Sequence, residues 1–427
     1  MMKMKRSNFS RFLLLWAGEL MSSIGSGLTA FGLGVYIFNR TGSAANMALV
    51  TLLGFLPTLL LSVPSGVLAD RYDRRALMMA GDGLSALGVV YILICMIRGD
   101  AGLADICIGV FISSVFSSLT EPSYRATVTD LLTKEEYSKA NGLVSLAGSA
   151  RYLFSPVIAG ILLTYFDVKL LLIIDICTFF LTISSAAAVR KAMPAHRKGT
   201  QEPFLASMKA GRIIADNRGV MMLVVISSVI TMFMGMFQIL AEPLILSFQD
   251  AGTLGIAETV CAGGMLVSGV VIGIRGIKRN FVKTLGISLA LSGIFMAGFG
   301  MIEDIVPICI SGFLFFAALP FANNCLDYLA RTNISDEMQG RAWGMIGFIS
   351  QLGYVAAYGV SGIAADALGR VTGLGVGRGA ALLIIASGIL LALSACMIPM
   401  NRSIRALEKN EDEGVCEEKA VTVQDAT

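Results

Sequence analysis

The sequence predicts an all-α membrane protein of twelve transmembrane helices in two bundles of six, with the N- and C-termini cytoplasmic. Three observations predict it. Of the 427 residues, 55% are hydrophobic and 15% charged, and mean hydropathy is +0.75, more apolar surface than a soluble domain can hide. Apolar runs of about 20 residues, long enough to cross a bilayer, recur from Phe12 to Pro399. With both termini inside, 27 of the 33 Lys and Arg residues fall in cytoplasmic segments, the asymmetry that orients membrane proteins. The net charge of +3 follows from that topology and does not point to nucleic acid.

The expected spans are 11–37, 46–69, 76–97, 102–123, 141–164, 168–189, 218–247, 253–275, 282–301, 305–331, 342–365 and 378–399. Span one follows a basic start that imitates a secretory signal, but Glu19 interrupts its apolar core and no small-x-small site closes it, so it reads as a retained helix. Span two ends in Gly66-Val67-Leu68-Ala69-Asp70-Arg71-Tyr72-Asp73-Arg74-Arg75, a charged turn into span three, which carries Asp82. Span four ends near Glu121 and Arg125. Span five holds Arg151 and Pro156, and span six holds Asp175 near the outer face, where interfacial solvation or local pairing would satisfy it. Span seven contains Gln238 and, one turn later, Glu242-Pro243, where a proline can open the backbone. Span eight carries Glu258 and runs into Gly273-Ile274-Arg275-Gly276-Ile277-Lys278-Arg279, a copy of the charged turn that keeps the bases and lacks the acid. Spans nine and ten follow, the latter with Asp327 beside Arg331. Span eleven begins after Gly340-Arg341, contains Gln351 and ends in Gly362-Ile363-Ala364-Ala365-Asp366. Span twelve closes the series.

Residues 1–190 therefore form a first six-helix bundle, 191–217 a cytoplasmic linker, 218–400 a second bundle and 401–427 a disordered, acidic cytoplasmic tail. Within the linker, Phe204, Leu205, Met208, Ile213 and Ile214 share one helical face that suits the inner leaflet. His196, the single histidine, reads as a solvated loop residue. Seven of the eight cysteines fall within spans and Cys416 in the tail, so no disulfide framework is expected. No CxxC, His cluster or HExxH suggests a metal, no Ser-His-Asp set suggests an enzyme, and no phosphate-binding loop suggests ATP-driven transport or any cofactor.

The charged turn resembles the loop signature between the second and third spans of the major facilitator superfamily. Gly148-Ser149-Ala150-Arg151-Tyr152-Leu153-Phe154-Ser155-Pro156-Val157-Ile158-Ala159-Gly160 is similar to the Gly-Pro-x-x-Gly-Gly element of that family's antiporters, with Ser155 and Ala159 in place of two glycines. Together with Trp16-Ala17-Gly18-Glu19, Thr41-Gly42-Ser43-Ala44, Gly54-Phe55-Leu56-Pro57 and Gly340-Arg341, these features resemble the macrolide-efflux branch of its drug:proton antiporters. The resemblance implies the major facilitator fold. It also implies a secondary transporter, not an enzyme, in the bacterial cytoplasmic membrane, acting as a monomer. Its partners would be the bilayer, protons and a small amphipathic substrate such as a macrolide-like drug, exported by alternating access. A transporter of lysophospholipid, siderophore or another lipid-like metabolite would use the same bundle.

Gly66, Asp70, Arg71, Arg74 and Arg75 are expected to form a gate: Gly66 by letting helices approach, and Asp70 by meeting the positive N-terminal end of span eleven. A solvated turn with no gating role is the other reading. Pro156 and Gly160 are expected either to hinge span five or simply to pack closely. Ionisable groups within spans are costly and functional by default. Glu19 and Arg151 lie roughly 12 and 15 Å above the inner boundary at about 1.5 Å per residue, so the expected arrangement pairs them. Protonation of Glu19 would then free Arg151 and couple transport to protons, unless the pair is purely structural. Gln238, Glu242 and Gln351 join them as candidate cavity residues, and Phe31, Phe55, Met232, Phe233, Met236, Phe237, Phe315 and Phe316 as adaptable lining.

Overall fold

The computed structural model describes residues 8–133, 136–192, 218–277, 279–334 and 339–408. The expectations for His196, the amphipathic linker face, Lys278 and residues 409–427 lie outside the described residues, as does the side chain of Arg341. Among the described residues, twelve helices or helix pairs are long and apolar enough to cross a bilayer. They are Phe9–Thr41, Ala44–Arg71, Arg74–Arg98, Leu103–Ser117 with Thr120–Leu131, Tyr137–Leu153 with Ser155–Tyr165, Val168–Ala192, Arg218–Leu246, Ala251–Arg275, Phe281–Met301, Ile305–Thr332, Gln339–Thr372 and Val376–Met397.

Hydropathy placed these spans well, but three segments differ for local reasons. Span four continues to Leu131, eight residues past its expected end. Its last turns are amphipathic: Ser123, Tyr124, Thr127, Val128 and Leu131 are buried, while Glu121 and Arg125 pair at 2.9 Å on the outside. Span five starts four residues early, at Tyr137, and breaks at Phe154. Pro156 has no N–H to extend the first helix, and its ring excludes the carbonyl one turn back. The nearby carbonyl of Leu153 accepts the Thr259 hydroxyl at 3.0 Å. Span seven, by contrast, stays helical through Pro243.

The chain divides into two compact units. The first comprises spans one to six with Ile245–Thr259, and the second the remainder of spans seven and eight with spans nine to twelve. In the first unit, Gly18, Gly25 and Gly32 recur every seven residues and put span one against span six. A methyl group at Gly18 would lie 2.7 Å from Ser185 Oγ, and one at Gly32 would lie 2.6 Å from a Leu171 methyl. Hydroxyls tie span four to its neighbours: Ser114 donates to the Gly54 carbonyl at 2.7 Å, and Ser85 lies 2.7 Å from Ser113 Oγ. Pro156 and Gly160 press on the start of span eight, where a methyl at Gly160 would meet the Ala251 carbonyl at 2.6 Å. That start is fixed outside the membrane by Asp250, whose carboxyl is held below the ordinary range chiefly by the Thr253 backbone N–H, at 2.8 Å.

The second unit repeats the device. Gly286, Gly293 and Gly300 line span nine against span twelve, and a methyl at Gly293 would lie 2.5 Å from the Gly388 carbonyl. Spans seven and eleven are joined by Ser228, which donates to the Ile349 carbonyl at 2.9 Å, by Thr231 on the Ser350 carbonyl, and by Ser350 on Ser227 at 2.8 Å. Phe237 stacks on Phe315 with centroids 4.5 Å apart and meets Phe299 edge-on at 4.6 Å. These rings are packed on one another in the unit's core, so Phe237 and Phe315 do not line an open pocket here.

The tail is ordered further than its composition suggests. Residues 402–408 form a helix that buries Ile404 and Leu407, because two apolar residues three apart meet the bundle before the acidic stretch begins.

The glycine stripes generate a stability prediction. Gly293→Val forces a side chain into main chain and is expected to cost about 1–3 kcal/mol, read as a lower thermal unfolding midpoint in detergent. Gly66→Ala, whose added methyl meets open space, is expected to leave that midpoint unchanged or higher.

Candidate functional site

The turn between spans two and three is built as a bracket of charges. Asp73 caps span three by accepting the Arg75 backbone N–H at 3.2 Å, and the same carboxylate takes the Arg190 Nε at 2.7 Å from the end of span six. An aspartate just before a helix is a capping signal legible in sequence, and that signal was the one to follow here. Arg74 reaches in two directions. It lies 2.9 Å from Asp130 at the end of span four and 3.4 Å from Asp70, and it also donates to the carbonyls of Ala69 and Ala126. Within this unit the five gate candidates therefore separate. Arg74 is the hub, Arg75 is buried, Asp70 and Arg71 are exposed, and Gly66 makes no close helix contact because a methyl there would meet nothing within 4 Å. Close packing at this level comes instead from Ser65, whose hydroxyl is 3.1 Å from Ser118 Oγ.

Glu19 and Arg151 are not brought together. Arg151 packs beside Gly27, two turns beyond Glu19 along span one, and a methyl at Gly27 would lie 3.1 Å from Arg151 Cγ. Span one starts at Phe9 and span five at Tyr137, so Arg151 stands fourteen residues into its helix and Glu19 only ten into its own. Glu19 and Gly27 are eight residues apart, so at about 1.5 Å per residue the near-equal depth expected from sequence becomes an offset of roughly 12 Å along span one. Among the described residues no carboxylate lies within ion-pair distance of Arg151.

The charges that act on Glu19 are those of Asp82 and Glu121, both negative. Asp82 is 4% exposed and accepts the Thr120 hydroxyl at 3.0 Å. Close by, Tyr124 is buried and its hydroxyl has no hydrogen-bond partner. Spans one, three and four thus each carry a carboxylate, Glu121 being paired with Arg125, whereas the sequence reading searched for a base opposite Glu19. Asp175, expected near the solvated interface, is 1% exposed; Ser26 and Thr178 donate to its carboxylate at 3.4 and 3.5 Å.

In the second unit, Gln238 accepts the Tyr358 hydroxyl at 2.8 Å, linking spans seven and eleven. One helical turn before Tyr354, Gln351 has a buried amide oxygen with no partner, and Glu242 is half-buried one turn beyond Gln238. No group of three or more His, Cys, Asp or Glu side chains among the described residues is arranged to hold a metal ion.

Twelve apolar spans among the described residues, with carboxylates inside them and a charge-bracketed turn, are the architecture of a polytopic membrane protein. The comparisons give the family: the model of the Major Facilitator Superfamily matches residues 15–358, and the chain belongs to that superfamily. The chain is 27% identical over 412 residues to Macrolide efflux protein A of Streptococcus pyogenes, covering 93% of this chain and 97% of that one. It is 24% identical to the Multidrug efflux pump Tap of Mycobacterium tuberculosis, over 83% of this chain and 86% of that one. The nucleoside transporter NupG superposes with a TM-score of 0.71 at 13% identity, over 92% of this chain and 100% of that chain, a likeness of fold. The protein is a multi-pass transporter of the bacterial cytoplasmic membrane, and the relatives it resembles include Macrolide efflux protein A.

Double-mutant cycles distinguish the two ion-pair arrangements. Arg74→Gln with Asp130→Asn is expected to show coupling of about 0.5 kcal/mol or more in unfolding free energy, whereas Glu19→Gln with Arg151→Gln should be additive within about 0.5 kcal/mol.

Proposed function

We propose that this protein exports small amphipathic compounds of the macrolide class from the cytoplasm by proton antiport, as a monomer with both termini cytoplasmic. The observation that carries the reading is the similarity to Macrolide efflux protein A along nearly the whole of both chains. The proton is carried by the carboxylates of the first unit, with Glu19 as the exchanging group: among the described residues no arginine is paired with it, so none has to be released when it is neutralised. Arg151, close to the break in span five, faces substrate. Gln238, Glu242 and Gln351 contribute polar contacts from the second unit. Asp70, Arg71, Arg74 and Arg75 serve as the gate at the linker end, and Pro156 with Gly160 as the hinge of span five.

The experiment is energised efflux from an efflux-deficient bacterium expressing wild type, Glu19→Gln or Asp70→Asn at equal levels, with macrolides, dyes and lysophospholipids as substrates. Wild-type cells are expected to accumulate less macrolide, and a protonophore should abolish the difference. Glu19→Gln should lose gradient-driven export, while Asp70→Asn should slow turnover. Lysophospholipid movement with no change in any drug would replace the macrolide reading with lipid transport, and protonophore-insensitive export would remove the proton. Fusions settle orientation: a C-terminal green fluorescent protein should fluoresce, and a C-terminal alkaline phosphatase should be inactive.

A further inference from the structure

The two charged turns of the molecule solve one problem with their charges exchanged. A helix begins with backbone N–H groups that lack partners and with a partial positive charge. At the start of span three the remedy is local: Asp73 caps the helix, and Arg190, arriving from the end of span six, pairs with it. Span nine occupies the corresponding place in the second six-helix repeat. Its turn, Gly273 to Arg279, contains bases and no acid. Asn280, the residue before the helix, is in the left-handed region at φ 59°, and its side chain makes no capping hydrogen bond. The carboxylate comes from elsewhere. Glu408, beyond span twelve, accepts the Phe281 backbone N–H at 2.6 Å.

We propose that Glu408 is the positioning residue for the turn between spans eight and nine, and that the helix 402–408 is a clasp that holds the second unit's charged turn in place. In the first repeat the acid belongs to the turn and the base follows span six. In the second the turn is basic and the acid follows span twelve.

The contacts around Glu408 show how much this short helix holds. Leu407 fills the space left by Gly219, where a methyl would lie 2.6 Å from a leucine methyl, so the clasp touches the start of span seven. Asn333, at the end of span ten, donates its side-chain amide to the Leu407 carbonyl at 3.2 Å. Phe281, whose N–H is capped, stacks on Tyr328 of span ten with centroids 3.8 Å apart. Two consecutive residues therefore tie together the ends of spans seven, nine and ten, and a hydrogen bond from a helix N-terminus to a carboxylate is among the stronger kinds. Because the acid lies on a separate segment, it can leave without the turn itself unfolding. Asp73 has no such freedom.

Cys325 is a built-in reporter. It is fully buried in span ten, one turn before Tyr328, the ring that stacks on the capped Phe281. Cys261, buried in span eight against Gly312, reports on the rest of the unit. The test is the rate of N-ethylmaleimide labelling at each cysteine, read by mass spectrometry on the full-length protein in membranes. Labelling of Cys325 is expected to rise about ten- to hundredfold in Glu408→Gln and in a chain ending at Asn401, the factor that loss of a hydrogen bond to a charged group places on a local opening. Glu408→Asp should fall between these and wild type. A chain ending at Glu408 should match wild type, and Cys261 should change in none of them. Wild-type labelling of Cys325 in Glu408→Gln would overturn the proposal. So would an equal rise at Cys261, or a rise in the chain ending at Glu408, since either would move the effect away from this carboxylate.

Discussion

Everything in this structure rests on a constraint that soluble proteins escape: the surrounding lipid is as apolar as the core, so burying one more leucine gains almost nothing. Helices must find each other by close contact of backbones. The chain meets the constraint with glycines spaced seven apart on span one and again on span nine, two turns of helix that return each glycine to nearly the same face. Where glycine stops, serine and threonine take over, bonding to carbonyls and to one another between spans two, three and four and between spans seven and eleven. The large side chains that a soluble core would claim, such as Leu60, Leu87, Phe180 and Leu393, are exposed and free to face lipid.

The same constraint sorts the charged groups. Those at the turn between spans two and three are hydrogen-bonded through Arg74, Asp73 and Arg190 and act as ties between helix ends. Those inside spans have been given hydroxyls for company instead of counter-ions: Thr120 for Asp82, and Ser26 and Thr178 for Asp175. A hydroxyl can donate to a carboxylate and can equally accept from a carboxylic acid. Such a setting therefore tolerates both protonation states of the acid, which a fixed salt bridge does not. In the function proposed above, this is the setting that a proton carrier in the first unit requires.

Hydropathy made the twelve spans legible because each must supply a bilayer's worth of apolar length. It failed at the end of span four, where burial of one face by Tyr124, Thr127 and Leu131 carries the helix past the charges that mark its expected end. The charged turn was legible as a turn, but its partners were not: Asp130 and Arg190 lie far along the chain, and only folding shows that they converge on it. The Glu19–Arg151 expectation failed because depth counted from expected helix starts does not fix which turn a neighbour meets: span one starts two residues early, span five four, and Arg151 packs at Gly27. The glycine repeats at 18, 25 and 32 and at 286, 293 and 300 were in plain view, and reading them first would have paired span one with a neighbour before any charge was considered.

The joint between spans seven and eleven has one further consequence. Ser228 and Thr231 grip the carbonyls of Ile349 and Ser350, and main chain of span seven fits into the space left by Gly353. A carbonyl is the same whatever side chain its residue carries. The carbonyl side of this contact is thus blind to sequence: the grip sets no requirement on the side chain at 349, which answers only to its apolar packing, while it does require the hydroxyls of span seven and the glycine at 353. Across related chains, the joint should leave a footprint of single constant positions, Ser228 and Thr231 on one helix and Gly353 on the other, that a search for co-varying residue pairs would pass over.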